Sequence, residues 1–252
     1  RDQPRSRGLG DVYKRQGIAM SLTLEFFYQK TRYTYNLDLL TASTTLNKKI
    51  TWVYLLDDVH NSSFIRGGEL IITTGLITKP SQKLDHLINE AYIKGACGAI
   101  INTGMYIKNV PSRIIEFGEE NNFPIFSMPW ETHIADIMQE YCNEIISEQK
   151  IASLKNNVFL RSILHSSSSE DKQILSQFIG FRIAASKMPL NILYFAKVEL
   201  DNIYYYICSA KSIHTADHSI GLSNQIESID SIHQYYIQAY NCLLYTSDAA
   251  DD

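Results

Sequence analysis

The sequence lacks the features that mark several large classes of protein. No apolar run approaches the roughly 20 residues that a membrane-spanning helix requires, and no secretory signal follows Met20. The four cysteines are widely spaced and form no CxxC pair, which is typical of reduced, mostly buried thiols in a cytoplasmic protein. The sequence is also mildly acidic, because its 23 Lys and Arg residues and 27 Asp and Glu residues give a net charge of −4. This balance argues against a DNA-binding surface, since phosphate contacts need Lys and Arg.

Catalytic and metal-binding motifs are missing as well. The sequence has no P-loop, no GxGxxG, and no Cys–His or Ser–His arrangement with a family signature. His214 and His218 are four residues apart but have no third ligand nearby, which favours surface histidines. Asp57 and Asp58 form a paired acid that we predict to lie in a turn as a solvated cap. We therefore expect no catalytic residue, no metal site and no cofactor.

The two ends of the chain differ in character from the rest. Residues 1–16 and the tail LLYTSDAADD resemble translated sequencing-adapter read-through, and neither shows helical or strand periodicity. The alternatives are a basic arm that binds nucleic acid and an acidic interaction tail. We expect residues 1–19 and 243–252 to be non-native, with Met20 as the start and an incomplete gene product that breaks off near Cys242. The remaining residues, about 225, suggest one or two domains.

Between residues 37 and 130 the hydrophobic pattern alternates between helices and strands. A first helical segment is predicted near residues 37–40, and further helices at residues 81–94 and from residue 111 onward. Strands are predicted at residues 50–56, 70–73, 99–102 and 124–128. Strands separated by single helices imply βαβ crossovers, which predict a parallel sheet and an α/β domain over residues 20–131.

A long helix follows this domain. Apolar residues recur at helical spacing from Ile134 to Val158, over about seven turns, which is longer than an ordinary globular helix. We predict a connector over residues 132–164 and a homodimer formed through it. The alternative is a pair of packed helices with a break near Glu148.

The chain beyond the long helix has a different pattern. The polar run HSSSSE at residues 165–170 is the predicted linker or loop. Two β-rich segments at residues 189–198 and 202–209 predict a hairpin, and residues 231–241 predict a helix. The fold class expected for the whole chain is an α/β parallel-sheet N-terminal domain, a long connector helix and then a smaller α+β domain over residues 166–242.

One stretch, residues 52–76, combines a glycine-bearing turn with a strand buried on both faces. The turn consists of Arg66, Gly67, Gly68 and Glu69, and the strand ends in Thr73, Thr74 and Gly75. This arrangement resembles the N-terminal domain of the purine catabolism regulator (PucR) family of bacterial transcription regulators.

A possible ligand crevice follows from the strand ends, because ligands of open α/β sheets bind beyond the carboxyl ends of the strands. The polar residues predicted there are Thr73, Thr74, Gly75, Asn102, Thr103, Gly104 and Trp130. They offer hydroxyl, amide and backbone groups and an indole for stacking, which would suit a small metabolite such as a purine-pathway compound. Ordinary strand-to-helix turns are the alternative. Arg66, Gly67, Gly68 and Glu69 are further candidate ligand contacts, for which a buried ion pair or a fixed turn is an equal explanation.

The second domain also resembles a known one. Its matching residues are Ile220, Gly221, Ser223, Tyr236 and Ala239. They resemble the degenerate, cyclase-like middle domain of PucR and sugar-diacid (CdaR-type) regulators. The RGGEL run at residues 66–70 has one acid where the catalytic cyclase motif has two, and it lies outside the cyclase-like region. Cyclase activity is therefore not expected, since that chemistry needs paired acids to hold Mg²⁺.

These resemblances imply the sensory and dimerising part of a transcription regulator rather than an enzyme. In the PucR family an α/β domain and a cyclase-like domain precede a C-terminal helix-turn-helix, so DNA would be contacted only through a domain missing from this truncated chain. A small-molecule effector would bias a two-state arrangement that the long helix transmits. The alternatives are a small-molecule enzyme or enzyme subunit built on the α/β domain, and a purely structural dimerisation module.

Overall fold

The computed structural model describes residues 22–76, 82–213 and 220–248. They form two compact units that divide between Ser147 and Glu148. The predicted histidine pair, His214 and His218, lies outside the described residues, as do the predicted non-native residues 1–19.

The first unit is built on one sheet with helices on both faces. Its elements are α1 (Leu24–Thr31), β1 (Asp38–Leu39), β2 (Trp52–Leu55), a 3-10 helix (Val59–Phe64), β3 (Glu69–Thr73), α2 (Gln82–Ile93), β4 (Gly98–Thr103), α3 (Ser112–Glu120), β5 (Ile125–Pro129) and the start of α4 (Ile134–Ile163). The strand order is β1-β5-β4-β3-β2, with β2 to β5 parallel and β1 antiparallel to β5. The predicted α/β parallel-sheet domain is confirmed.

Alternate residues of the central strands face opposite sides of the sheet. Leu70 and Ile72 of β3 lie in an apolar cluster with α1 and α4, whereas Ile71 lies in a second cluster with α2 and α3. All five residues of β3 are buried. This two-sided burial explains why the strand is a continuous apolar run instead of an alternating one.

The prediction of a helix at residues 37–40 is wrong. Asp38 and Leu39 form the edge strand β1, which pairs with Ser127 and Phe126, and the Leu40 N–H donates to the Ile125 carbonyl at 2.9 Å. Four residues are too few to separate helical from extended periodicity, and the pairing that decides the conformation comes from a distant part of the chain.

Helix α4 is one continuous element of 30 residues, so a break near Glu148 is not present. It runs from Ile134 to Ile163, within the bounds of the predicted connector at residues 132–164. The division between the two units falls inside this helix. None of the helices in the described residues is both long and apolar enough to cross a membrane.

The second unit is a smaller antiparallel sheet with helices, as predicted. Its elements are the end of α4, then α5 (Ser169–Leu175), β6 (Arg182–Ser186), β7 (Tyr194–Leu200), β8 (Ile203–Cys208), β9 (Ile220–Gln225), α6 (Ile232–Asp248) and three single 3-10 turns (Ser176–Phe178, Ala210–Ser212, Ile229–Ser231). The strand order is β7-β8-β6-β9, and β7 and β8 form the predicted hairpin. The predicted linker is shorter than expected, because Ser168 already caps α5.

Helix α6 extends beyond the predicted domain limit at residue 242. It continues to Asp248, and Leu243 is buried in the core of the second unit, four residues after the buried Ala239. The expectation that the tail lacks helical periodicity is therefore wrong for the residues up to Asp248. The proposed non-native origin of residues 243–252 stays a prediction.

The close packing of β9 on α6 depends on Gly221. A Cβ at this position would lie 2.1 Å from the Ala239 carbonyl oxygen and 2.4 Å from the Leu243 nitrogen. We expect Gly221→Ala to destabilise the second unit by about 3 kcal/mol, because backbone atoms cannot yield as a flexible side chain can. Thermal unfolding followed by circular dichroism measures the loss.

Gly180→Ala is the matched control for this substitution. Its added methyl meets nothing within 4 Å, so only the positive φ of 87° is unfavourable, at about 1 kcal/mol. Equal losses in the two variants would show that the β9–α6 contact is not the constraint.

Asp171 links α4 to α5 in the second unit. Its carboxylate accepts from Arg161 Nε at 2.8 Å and from the Ser168 N–H at 2.9 Å, and these contacts hold the pKa of Asp171 well below its usual range. The stabilisation is present above the ordinary aspartate pKa of about 4 and is lost as pH falls below it. We expect Asp171→Asn to lower Tm at neutral pH and to have a progressively smaller effect as pH falls from about 4 toward 2.

Thermal unfolding across this pH range measures the difference. Asp230→Asn serves as control, because its 67% exposed side chain is solvent-screened although it pairs with Lys172. A pH profile of Asp171→Asn parallel to that of the unmodified chain would contradict the assignment.

Candidate functional site

The structure divides the predicted site residues between two ends of the sheet. Arg66, Gly67, Gly68 and Glu69 lie at the amino end of β3, and the remaining candidates lie at the carboxyl ends of β3, β4 and β5. A strand rises about 3.3 Å per residue, so Glu69 and Thr73 are about 13 Å apart along β3. The two groups are therefore considered separately.

At the amino end, Glu69 fixes the turn that precedes β3. Its carboxylate accepts from the Arg66 N–H at 2.8 Å and from the Gly67 N–H at 2.7 Å, and the residue is 8% exposed. Gly68 adopts a φ of 79°, and a Cβ there would lie 2.7 Å from Thr51 Cγ2. Of the two alternatives to ligand binding, the fixed turn matches this geometry, because Arg66 makes no ion pair with Glu69 or with any other described residue.

An open groove lies beside this turn and along β2, the last strand of the sheet. It has a volume of about 540 Å³ and is lined by Thr51, Trp52, Tyr54, Ser63, Phe64, Arg66, Gly67 and Glu69. We call it the edge groove. Trp52 is 40% exposed and Phe64 is 69% exposed. The exposure of Trp52 and Tyr54 could not be predicted from the sequence, since it depends on β2 being an edge strand, and that of Phe64 depends on the position of its 3-10 helix.

The 3-10 helix that carries Phe64 begins at a capping aspartate. The Asp58 carboxylate accepts from the His60 N–H at 2.9 Å and is 43% exposed. The predicted role as a solvated cap is thus confirmed for Asp58, but it is wrong for Asp57, whose carboxylate accepts three hydrogen bonds from Thr73 and Thr74.

At the carboxyl end, Asp57 engages the two threonines that were predicted to contact a ligand. Thr73 Oγ1 and the Thr74 N–H donate to Asp57 Oδ1 at 2.9 Å and 2.7 Å, and Thr74 Oγ1 donates to Asp57 Oδ2 at 2.7 Å. These bonds close the turn after β3, so both threonine hydroxyl protons already have an acceptor.

Asn102 and Trp130 complete the carboxyl end. Asn102 is 1% exposed and its amide donates to the Pro129 carbonyl at 3.0 Å, whereas its Oδ1 is buried without a hydrogen-bond partner among the described residues. Trp130 is 40% exposed and packs edge-on against Tyr106 at 5.3 Å between ring centroids.

Thr103 and Gly104 hold turns through their backbone groups. The Trp130 N–H donates to the Thr103 carbonyl, and the Gly104 N–H donates to the Ile107 carbonyl, both at 2.7 Å.

The two buried thiols among the described residues are not reactive groups. Burial raises the pKa of Cys97 to about 12 and that of Cys208 to about 11, so both thiols remain protonated near neutral pH and are poor nucleophiles. No group of three His, Cys, Asp or Glu side chains in the described part of the chain is placed to hold a metal ion.

Comparison with known proteins connects this domain to a family. Residues 29–145 match the sequence profile of the Purine catabolism regulatory protein-like family (PucR). The chain is also 26% identical over 112 residues to the Purine catabolism regulatory protein of Bacillus subtilis (strain 168). The match covers 44% of this chain and 21% of that protein, so the chain spans about a fifth of its relative. No solved structure matches the chain significantly.

The role of Glu69 in the turn is testable by removing its charge. We expect Glu69→Gln to destabilise the first unit by about 1.5–3 kcal/mol, because a buried carboxylate that accepts two backbone bonds is replaced by a neutral amide. Urea unfolding followed by tryptophan fluorescence measures the loss, since Trp52 and Trp130 both lie in this unit.

Glu90→Gln is the matched control on the surface of α2. Its carboxylate is half-buried and lies 3.9 Å from the exposed His86, and among the described residues it accepts no hydrogen bond from a backbone N–H group, so we expect a change within about 0.5 kcal/mol. Comparable losses in both variants would mean that the Glu69 bonds do not hold the turn.

Proposed function

We propose, from the premise that residues 29–145 form a domain of the purine catabolism regulatory protein-like family, that this chain is the sensory and regulatory portion of a bacterial transcription regulator of purine catabolism. The family match is the single observation that carries the proposal. The named relative from Bacillus subtilis is itself a purine catabolism regulatory protein. The proposed location is the cytoplasm.

The proposed activity is binding of a small metabolite, without catalysis. Support comes from the two ends of the sheet, where polar and aromatic groups stand beside strands that are otherwise buried. The metabolite would bind one conformational state better than another, which is the requirement for any ligand-driven switch.

The proposed output is a signal to a DNA-binding domain outside this chain. Helix α4 supplies residues to both units, and Leu154 on it is 45% exposed. We propose that the exposed face of the helix between Ile134 and Val158, which includes Leu154, also forms a homodimer contact, because Ile137, Tyr141 and Ile145 are already buried in the core of the first unit. The second unit, with Gly221 and Ala239 in close contact, would be the cyclase-like middle domain of such a regulator.

A thermal-shift screen of purine-pathway metabolites against the full chain tests this function. A ligand present at 100 times its Kd stabilises the native state by about 2.7 kcal/mol, which corresponds to a Tm increase of about 5–10 °C for a chain of this size. We expect at least one metabolite to reach this range, while unrelated nucleotides and sugars serve as controls.

Size-exclusion chromatography with light scattering measures the oligomeric state of the same chain. A dimer that no metabolite stabilises would favour a purely structural dimerisation module and would count against sensing. A dimer whose Tm rises with one metabolite supports the proposal.

A further inference from the structure

We infer that the edge groove is a binding site for a planar anion of about the size of a purine. The inference rests on the proposed function, because it names the ligand class and the site for the proposed sensing. It includes Arg66, Gly67 and Glu69, which the sequence also suggested as ligand contacts, but it lies at the opposite end of the sheet from the expected crevice at the strand carboxyl ends.

The first argument is the aromatic surface of the groove. Trp52 and Phe64 are 40% and 69% exposed, and the half-buried Tyr54 lies in the same groove. Aromatic rings are normally buried, and their faces attract planar partners through stacking. The volume of about 540 Å³ falls in the range of small-molecule sites. A flat ligand therefore suits this groove better than a flexible one.

The second argument is charge. Arg66 is exposed and forms no ion pair within the described part of the chain, so its planar guanidinium presents donors to the groove. Such a fork matches two oxygens of one anion. The neighbouring Glu69 keeps its negative charge, but it is buried and its two oxygens already accept the Arg66 and Gly67 N–H groups, so it does not compete with a ligand for the Arg66 guanidinium.

The third argument is that the groove is held in shape before a ligand arrives. Thr51 Oγ1 donates to the Gly67 carbonyl at 3.0 Å, and the Gly68 N–H donates to the Gly95 carbonyl at 2.7 Å. These bonds fix the backbone of Arg66 against β2. A preformed site loses less entropy on binding than one that must order itself.

The carboxyl end also exposes Trp130, Tyr106 and Lys108, but the threonine hydroxyls predicted to contact a ligand there are already engaged. Asp57 already accepts the hydroxyl protons of Thr73 and Thr74, and the unsatisfied Asn102 oxygen is 1% exposed. Trp130 is exposed there as well, so it provides an internal comparison for Trp52 in an experiment.

The test uses the full chain labelled with 5-fluorotryptophan. The chain has two tryptophans, and the variants Trp52→Phe and Trp130→Phe assign the two fluorine resonances. Urate serves as a planar anionic probe and hypoxanthine as a planar neutral one. We expect urate to shift the Trp52 resonance in a saturable manner and to leave that of Trp130 unchanged.

Substitutions then separate charge from stacking. We expect Arg66→Gln to weaken urate binding about tenfold to a hundredfold, the loss of one charge-assisted contact, with little change for hypoxanthine. Phe64→Ala should weaken both probes. Lys108→Gln, which removes an exposed cation near the carboxyl end, is the matched control and should leave both affinities unchanged.

Three results would overturn the inference. Urate could shift only the Trp130 resonance, Arg66→Gln could behave as Lys108→Gln, or urate could shift neither resonance. If a different metabolite still raises the Tm of the chain in these cases, the groove assignment fails while the proposed function stands. If no metabolite binds at all, both fail.

Discussion

The burial of β3 and β4 from both sides is the constraint on which the rest of the first unit depends. Leu70 and Ile72 contact the layer of α1 and α4, and Ile71 contacts the layer of α2 and α3. No side chain along the middle of these strands is left for water or a ligand. Polar chemistry is thereby confined to the strand ends and to the free edge at β2, which is where every candidate site residue lies.

Much of this architecture could be predicted from the sequence because its signals are local. A short apolar run followed by glycine or threonine predicts a buried strand, and β3, β4 and β5 lie within a residue or two of their predicted positions. Strand β1 was missed because its conformation is decided by pairing with Phe126 and Ser127 far along the chain. Helix α1, which Thr23 caps, was not predicted, because its eight residues are too few to show a long apolar stripe.

The candidate site was less predictable than the fold for a related reason. Thr73 and Thr74 carry the right chemistry for a ligand, but the acceptor of their hydroxyl protons is Asp57, 16 residues before Thr73. Trp52 and Phe64 resemble core residues in the sequence, and only the position of β2 at the edge of the sheet leaves them exposed. Strand order and partner choice are long-range properties, and one sequence does not display them.

The antiparallel pairing of β1 with β5 has a consequence for synthesis of the protein. Strand β1 joins the sheet of the first unit beside β5, the last strand of that sheet along the chain, so β1 has no partner in the sheet until β5 has left the ribosome. Tyr141 of α4 also bonds to Thr31 of α1 at 2.6 Å, which delays the closing of that layer further. Translation proceeds at about 5–20 residues per second, so the N-terminal segment waits several seconds with Leu24 and Phe27 uncovered. Exposed apolar side chains of this kind make a nascent chain prone to aggregation until the layer closes.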